Sequence, residues 1–186
     1  MTVHKGSNII LAAQILPRRL WQGFALDPCH PLNFMPKSYN IDQIFALSPS
    51  KAQWALGGAL EAAGGLHTPD ALNTAEVTFL AAFNCWGGIE CEGLNGWLLN
   101  TSNPQLFKQT IEAFHTIGAS ARADALWRVA SLFPGSALPD DGDAFAEVVT
   151  NDDHEELYEE IEEQMRGDEI EALLQRYVTE HVQEFR

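Results

Sequence analysis

Between positions 152 and 163 the chain places eight carboxylates in twelve residues: Asp152, Asp153, Glu155, Glu156, Glu159, Glu160, Glu162 and Glu163. Acids this close together could hold a cation, move protons, or present an anionic surface to a basic partner. On a helix rising about 1.5 Å per residue they supply one negative charge per roughly 2.3 Å of axis. Duplex DNA carries one per about 1.7 Å. Like charges at helical neighbour spacing cost about 0.2–0.5 kcal/mol per pair, and only Arg166 lies at hand in the sequence to offset them. A surface tuned for solubility would intersperse both signs. Two readings stand side by side: a solvated outer face, and a partner-binding surface made of these eight residues. The density favours the second.

The catalytic and metal-binding alternatives each lack an essential member. His154-Glu155 opens like the zinc-protease pattern HExxH, but its fifth position is Tyr158, so the second ligand is missing. Asp140-Asp141-Gly142-Asp143 shares only composition with a calcium loop and reads better as a polar turn after Pro139. Cys29, Cys85 and Cys91 match no common zinc spacing. No G-x-S-x-G, Walker or GxGxxG sequence occurs. His115 and His181 fall on or near apolar helix faces, where partly buried packing residues are expected. No catalytic residue, metal ligand or cofactor site is assigned, and the chain reads as non-enzymatic.

The elements that must carry the acids read as helical. With Asp152 at zero and 100° per residue, Leu157, Tyr158, Ile161 and Met165 fall between about 140° and 240°. The eight acids occupy the remaining arc. Gly167 then breaks the helix, and a second one sets Ile170, Leu173, Leu174, Tyr177, Val178, His181 and Phe185 on one face. Upstream, Ser48-Pro49 opens a helix through Trp54, Leu56 and Leu60 to Gly64-Gly65, with Gly57-Gly58 marking close helix packing. Thr68-Pro69 or Asn73-Thr74 opens the next, carrying Val77, Leu80, Ala81 and Phe83. Ser102 or Asn103, with Pro104 first, starts a third that buries Leu106, Phe107, Ile111 and Phe114 and stops at Gly118. Ser120 starts a fourth, with Ala123, Leu126, Trp127, Ala130 and Phe133 toward the core, closed by Pro134-Gly135. Prolines 17, 28, 31 and 36 cut the beginning into short pieces. The expectation is an all-α, compact helical bundle with an acidic C-terminal helix pair. Residues 1–70 form a helical and loop region without an assigned role, and 71–186 a helical domain whose acidic segment is 140–186.

Charge along the 186 residues supports that division. The chain holds 26 acids against 11 bases, net −15, and residues 140–186 alone hold seventeen of the acids and three of the bases. Such a balance argues against direct binding of nucleic acid or an anionic membrane, both of which need a positive footprint. Three cysteines suit a reducing compartment. The apolar run Ile9–Leu16 is short, interrupted by Gln14 and stopped by Pro17, with no small-x-small cleavage site. A cytoplasmic protein is expected, with no membrane span.

From about Ala75 onward the order of blocks resembles a bacterial family typified by a dimeric DNA-mimic protein that binds a transcription factor. The resemblance rests on Asn100-Thr101-Ser102, on residues 110–119 (TIEAFHTIGA), and on residues 130–136 (ASLFPGS) with Pro139-Asp140. It runs on through the acidic helix to Leu173-Leu174-Gln175-Arg176-Tyr177-Val178 and Glu180-His181. One stretch departs from the family pattern: Cys91–Trp97 keeps only Gly93, an apolar residue at 94 and the aromatic at 97. The family's loop function is altered or lost there. The resemblance implies an all-α fold, a homodimer as a candidate assembly, and carboxylates standing where phosphates would sit. The partner would then be a basic DNA-binding protein such as a transcription factor, met through the acidic face. Other readings are an immunity-type inhibitor of a basic toxin such as a nuclease, an enzyme or metal protein using the Cys91–Trp97 loop, and a helical protein whose acidic face only solubilises it.

Overall fold

Asn73 opens the helix on which the others pack. Its side-chain oxygen accepts the Glu76 amide at 3.0 Å, and Glu76 Oε2 accepts the Asn73 amide at 2.8 Å, a reciprocal capping box. Glu76 is 1% exposed, and its second oxygen accepts the Tyr39 hydroxyl at 2.6 Å. Burial first, and then the Glu76 hydrogen bond and charge, hold the Tyr39 phenol far above the usual tyrosine range.

The computed structural model describes residues 39–67, 71–101, 103–167 and 169–185. Expectations about the proline-cut opening, Cys29, Thr68-Pro69 and Ser102 lie outside the described residues. The rest is all-α, with no strand among the described residues. In chain order the helices are α1 (Ile41–Phe45), α2 (Pro49–Ala62), α3 (Thr74–Thr101), α4 (Pro104–Thr116), α5 (Ser120–Trp127), α6 (Gly142–Val149), α7 (Glu155–Met165) and α8 (Glu169–Glu180). The long α3 runs through the middle, touching α2, α4, α6, α7 and α8. One core joins them: Phe79, Phe107, Phe114, Phe145 and Phe185 are fully buried, with Leu56, Leu80, Leu126 and Ile161 between them. Each such side chain contributes about 1.5–3 kcal/mol over its exposed state. Residues of α1 and α2 belong to this core.

Ends and bends follow local chemistry. Asn103 caps α4 by accepting from the amides of Gln105 and Leu106, with Pro104 as first helical residue. Its C-terminus closes on Gly118 at φ +87°, with the Ala119 amide on the Phe114 carbonyl and the Gly118 amide on that of His115. This is the paired closure a left-handed glycine permits.

Several sequence expectations change. Residues 91–97 are helical, not a loop: α3 continues through them and only kinks at Gly93, φ 73° and ψ 172°. Leu94, Trp97 and Leu98, one helical turn apart, are buried and hold that second half in place. The polar turn at 140–143 instead starts α6, because Asp141 Oδ1 accepts the Ala144 amide at 2.8 Å. Trp127 is 44% exposed although expected inside; it follows fully buried Leu126, and consecutive helical positions diverge by about 100°. Leu106 is half-buried and His115 exposed. Phe185 is buried as expected, on a 3₁₀ turn beyond α8 and edge-on to Phe79 at 6.1 Å.

The α2–α3 contact gives a paired prediction. A Cβ on Gly57 would collide with the Phe83 ring, which lies stacked on Phe79 and edge-on to Trp54, whereas a Cβ on Gly58 would meet nothing within 4 Å. Gly57→Ala is expected to destabilise by about 1–3 kcal/mol through overpacking. Gly58→Ala should stabilise by up to about 1 kcal/mol, since helix propensity alone changes. Urea unfolding of the two variants measures both signs.

Tyr158 gives a second prediction. Its hydroxyl donates to the Val149 carbonyl at 2.6 Å, tying α7 to the end of α6, and burial pushes its ionisation up to about 12. A phenol harder to ionise when folded adds stability that is complete below its unfolded value near 10. That stability is lost as pH rises through about 12. Tyr158→Phe should cost about 1–2 kcal/mol at neutral pH, leaving a carbonyl unpaired, and should diminish the alkaline fall in stability measured by pH-dependent melting.

Candidate functional site

The acidic face is assembled on a short helix with a narrow apolar stripe. Tyr158, Ile161 and Met165 are buried and Leu157 half-buried, as the wheel placed them. The single helix expected from Asp152 divides in two. Asn151 Oδ1 accepts the Asp153 amide at 3.1 Å and sets a 3₁₀ turn, Asp152–His154, before α7 begins at Glu155. Asp152 therefore lies off the α7 wheel, and its side chain lies outside the described residues. Asp153, Glu155, Glu156, Glu159, Glu160 and Glu163 are exposed. Glu155 and Glu156 occupy the first turn, where the positive end of the helix dipole favours carboxylates.

Two of the carboxylates differ from the rest. Glu160 pairs with Arg128, which follows α5. Glu162 is turned inward, its side chain 19% exposed: Oε1 accepts the Leu94 amide at 2.6 Å and Oε2 meets Arg166 at 3.3 Å. Arg166 is thus joined by a second cation that sequence proximity did not show. Arg128 is 32 residues from its partner, and nothing in the local pattern announces it. At the far end of α7 another cation from α5 does a different job. Arg122, 7% exposed, donates to the carbonyls of Met165, Arg166 and Gly167 at 3.1–3.3 Å, meeting the negative end of the helix.

Helix α7 is therefore held at its C-terminal end and along its length while Asp153, Glu155, Glu156, Glu159 and Glu163 face solvent. What such an arrangement can do is electrostatic: present carboxylates in fixed positions to guanidinium and ammonium groups. Other chemistry finds little support. Among the described residues no three His, Cys, Asp or Glu side chains are grouped to hold a metal ion. Cys85 is buried, which pushes its thiol up, and Cys91 is exposed. His115 Nδ1 lies 3.3 Å from Ser120 Oγ, but its Nε2 is 4.0 Å from Asp124, too far for the hydrogen bond a nucleophilic relay needs. His181 is half-buried against Tyr177, ring centres 4.3 Å apart. Among the described residues no helix is long and apolar enough to cross a membrane.

Comparison with known proteins bears on the same region. Residues 70–181 match the family model described as DMP19-like protein, a span that includes α3 through α8 and the whole acidic face. No curated protein and no solved structure matches the chain. The matched span exceeds half of the sequence and contains every block by which the chain resembles DNA-mimic proteins, and the chain accordingly belongs to the DMP19-like family of DNA-mimic type.

Proposed function

We propose that the protein is a non-enzymatic DNA mimic whose α7 face occupies the DNA-binding surface of a basic protein such as a transcription factor. The observation that carries the reading is the row of outward carboxylates on a helix whose opposite face is fully packed. Recognition then needs no change in the fold. Basic groups that contact phosphates would meet carboxylates. The four exposed glutamates of α7 outside the Arg128 pair give one per roughly 4 Å of axis, against about 1.7 Å for duplex DNA. The long-range field would speed encounter. Family membership supports the same reading. A basic nuclease would be met by the same electrostatics, and the partner's identity separates the two.

The partner-contact set proposed is Asp152, Asp153, Glu155, Glu156, Glu159, Glu160 and Glu163, with Glu156, Glu159 and Glu163 at its centre. The triple variant Glu156→Gln, Glu159→Gln, Glu163→Gln keeps side-chain size and helix propensity. Its melting temperature should equal or slightly exceed that of wild type, because repulsion along α7 is relieved. Captured partner should be displaced by duplex DNA. Its affinity for the triple variant should fall about tenfold at low salt, three exposed contacts at about 0.5 kcal/mol each. Wild-type binding should also weaken steeply as the screening length drops from about 8 Å at physiological ionic strength to about 3 Å at 1 M. Equal affinities of the two proteins at low and physiological salt would leave α7 a solvated face.

A further inference from the structure

Glu162 sits where two features that only tertiary structure brings together coincide. Gly93 takes φ 73°, so the helix ladder breaks there and the Leu94 amide becomes an end group of the second half of α3. Glu162 Oε1 accepts that amide at 2.6 Å, across 68 residues of sequence. A Cβ at position 93 would lie 2.9 Å from the same oxygen, so the glycine serves both the bend and the approach of the carboxylate. On the α7 wheel Glu162 lies about 40° from Tyr158, at the edge of the buried stripe.

We propose that Glu162 is a positioning residue for the acidic surface rather than a part of it, an inference that rests on the DNA-mimic reading. Its carboxylate caps the second half of α3 and thereby restrains how far α7 is rotated about its own axis, alongside the Tyr158 hydroxyl on Val149 and the Arg122 guanidinium on the C-terminal carbonyls. Hydrophobic contact is itself non-directional, so the orientation of α7 depends on its directional contacts. A hydrogen bond from a fixed backbone amide is one of these. The charge of Glu162 is met by Arg166 and by the amide end of the half-helix, so it adds little to the field a partner meets.

The test uses the full chain with Glu162→Gln, alone and together with Arg166→Gln, with Glu162→Ala and, as a single-charge control, Glu159→Gln. Two quantities are read: hydrogen exchange of the Leu94 amide, and affinity for poly-L-lysine of defined length across a salt series. Glu162→Gln keeps an acceptor oxygen at the same reach, so Leu94 protection should match wild type. Made together with Arg166→Gln, which removes the pair without changing the net charge, it should also leave polycation affinity at the wild-type value. Glu162→Ala should speed Leu94 exchange about tenfold. Glu159→Gln should leave Leu94 unchanged and lower polycation affinity about two- to threefold. Unchanged Leu94 exchange in Glu162→Ala overturns the joint. An affinity loss in the double variant Glu162→Gln, Arg166→Gln equal to that of Glu159→Gln overturns its place outside the surface, and this arm holds even if the Ala variant does not fold. Loss of Leu94 protection in Glu162→Ala beside an inert Glu159→Gln upholds the joint and overturns the acidic-surface reading instead.

Discussion

Everything about the acidic face depends on burying a narrow stripe of three side chains against mutual repulsion. Helix α7 is eleven residues long and carries six glutamates. Isolated helices shorter than about 12–15 residues are marginal in water even with favourable sequences. Here Glu155 and Glu159, Glu156 and Glu160, and Glu159 and Glu163 repel at i,i+4 spacing. Tyr158, Ile161 and Met165, each 5% exposed or less, supply about 1.5–3 kcal/mol apiece. That exceeds the summed repulsion. The helix is a tertiary product, and its charge is tolerated because the core holds it.

The surrounding cations follow the same logic. Arg122 and Arg128, from one short stretch of chain, reach the end and the middle of α7. Arg122 is nearly buried and its charge is answered by three carbonyls, with Glu169 4.0 Å away and itself exposed. A lone buried cation would be costly, and the carbonyl end of a helix is one of the few places that can receive it. Arg122 is turned to the helix end, whereas Arg128 offsets one unit of the outward charge at Glu160.

Much of this was legible in the sequence because it is local. The wheel separates Tyr158, Ile161 and Met165 from the acids by angle alone, and cap chemistry marks Asn73, Asn103 and Gly118. What escaped is non-local or turns on a single dihedral. Cys91–Trp97 reads as a loop because two glycines punctuate it, yet only Gly93 leaves the helical region, and buried Leu94, Trp97 and Leu98 restore the period. Helix α6 escaped because Asp140-Asp141-Gly142-Asp143 has turn composition, while Asp141 in fact faces forward as a cap. Glu162 looked like its neighbours because a helical wheel gives direction but not what waits there. Its partner amide belongs to a residue 68 positions earlier.

The separation of roles along α7 has a consequence for how such a chain can evolve. Tyr158, Ile161, Glu162 and Met165 are constrained by atoms already in place around them, so drift at these positions alters the scaffold. Glu155, Glu156, Glu159 and Glu163 are exposed to solvent. The two sets alternate within eleven residues, so one helix is written in two interleaved scripts with different freedoms. Lineages can rewrite the outward one to follow a changing partner, one carboxylate at a time, without ever passing through an unfolded ancestor.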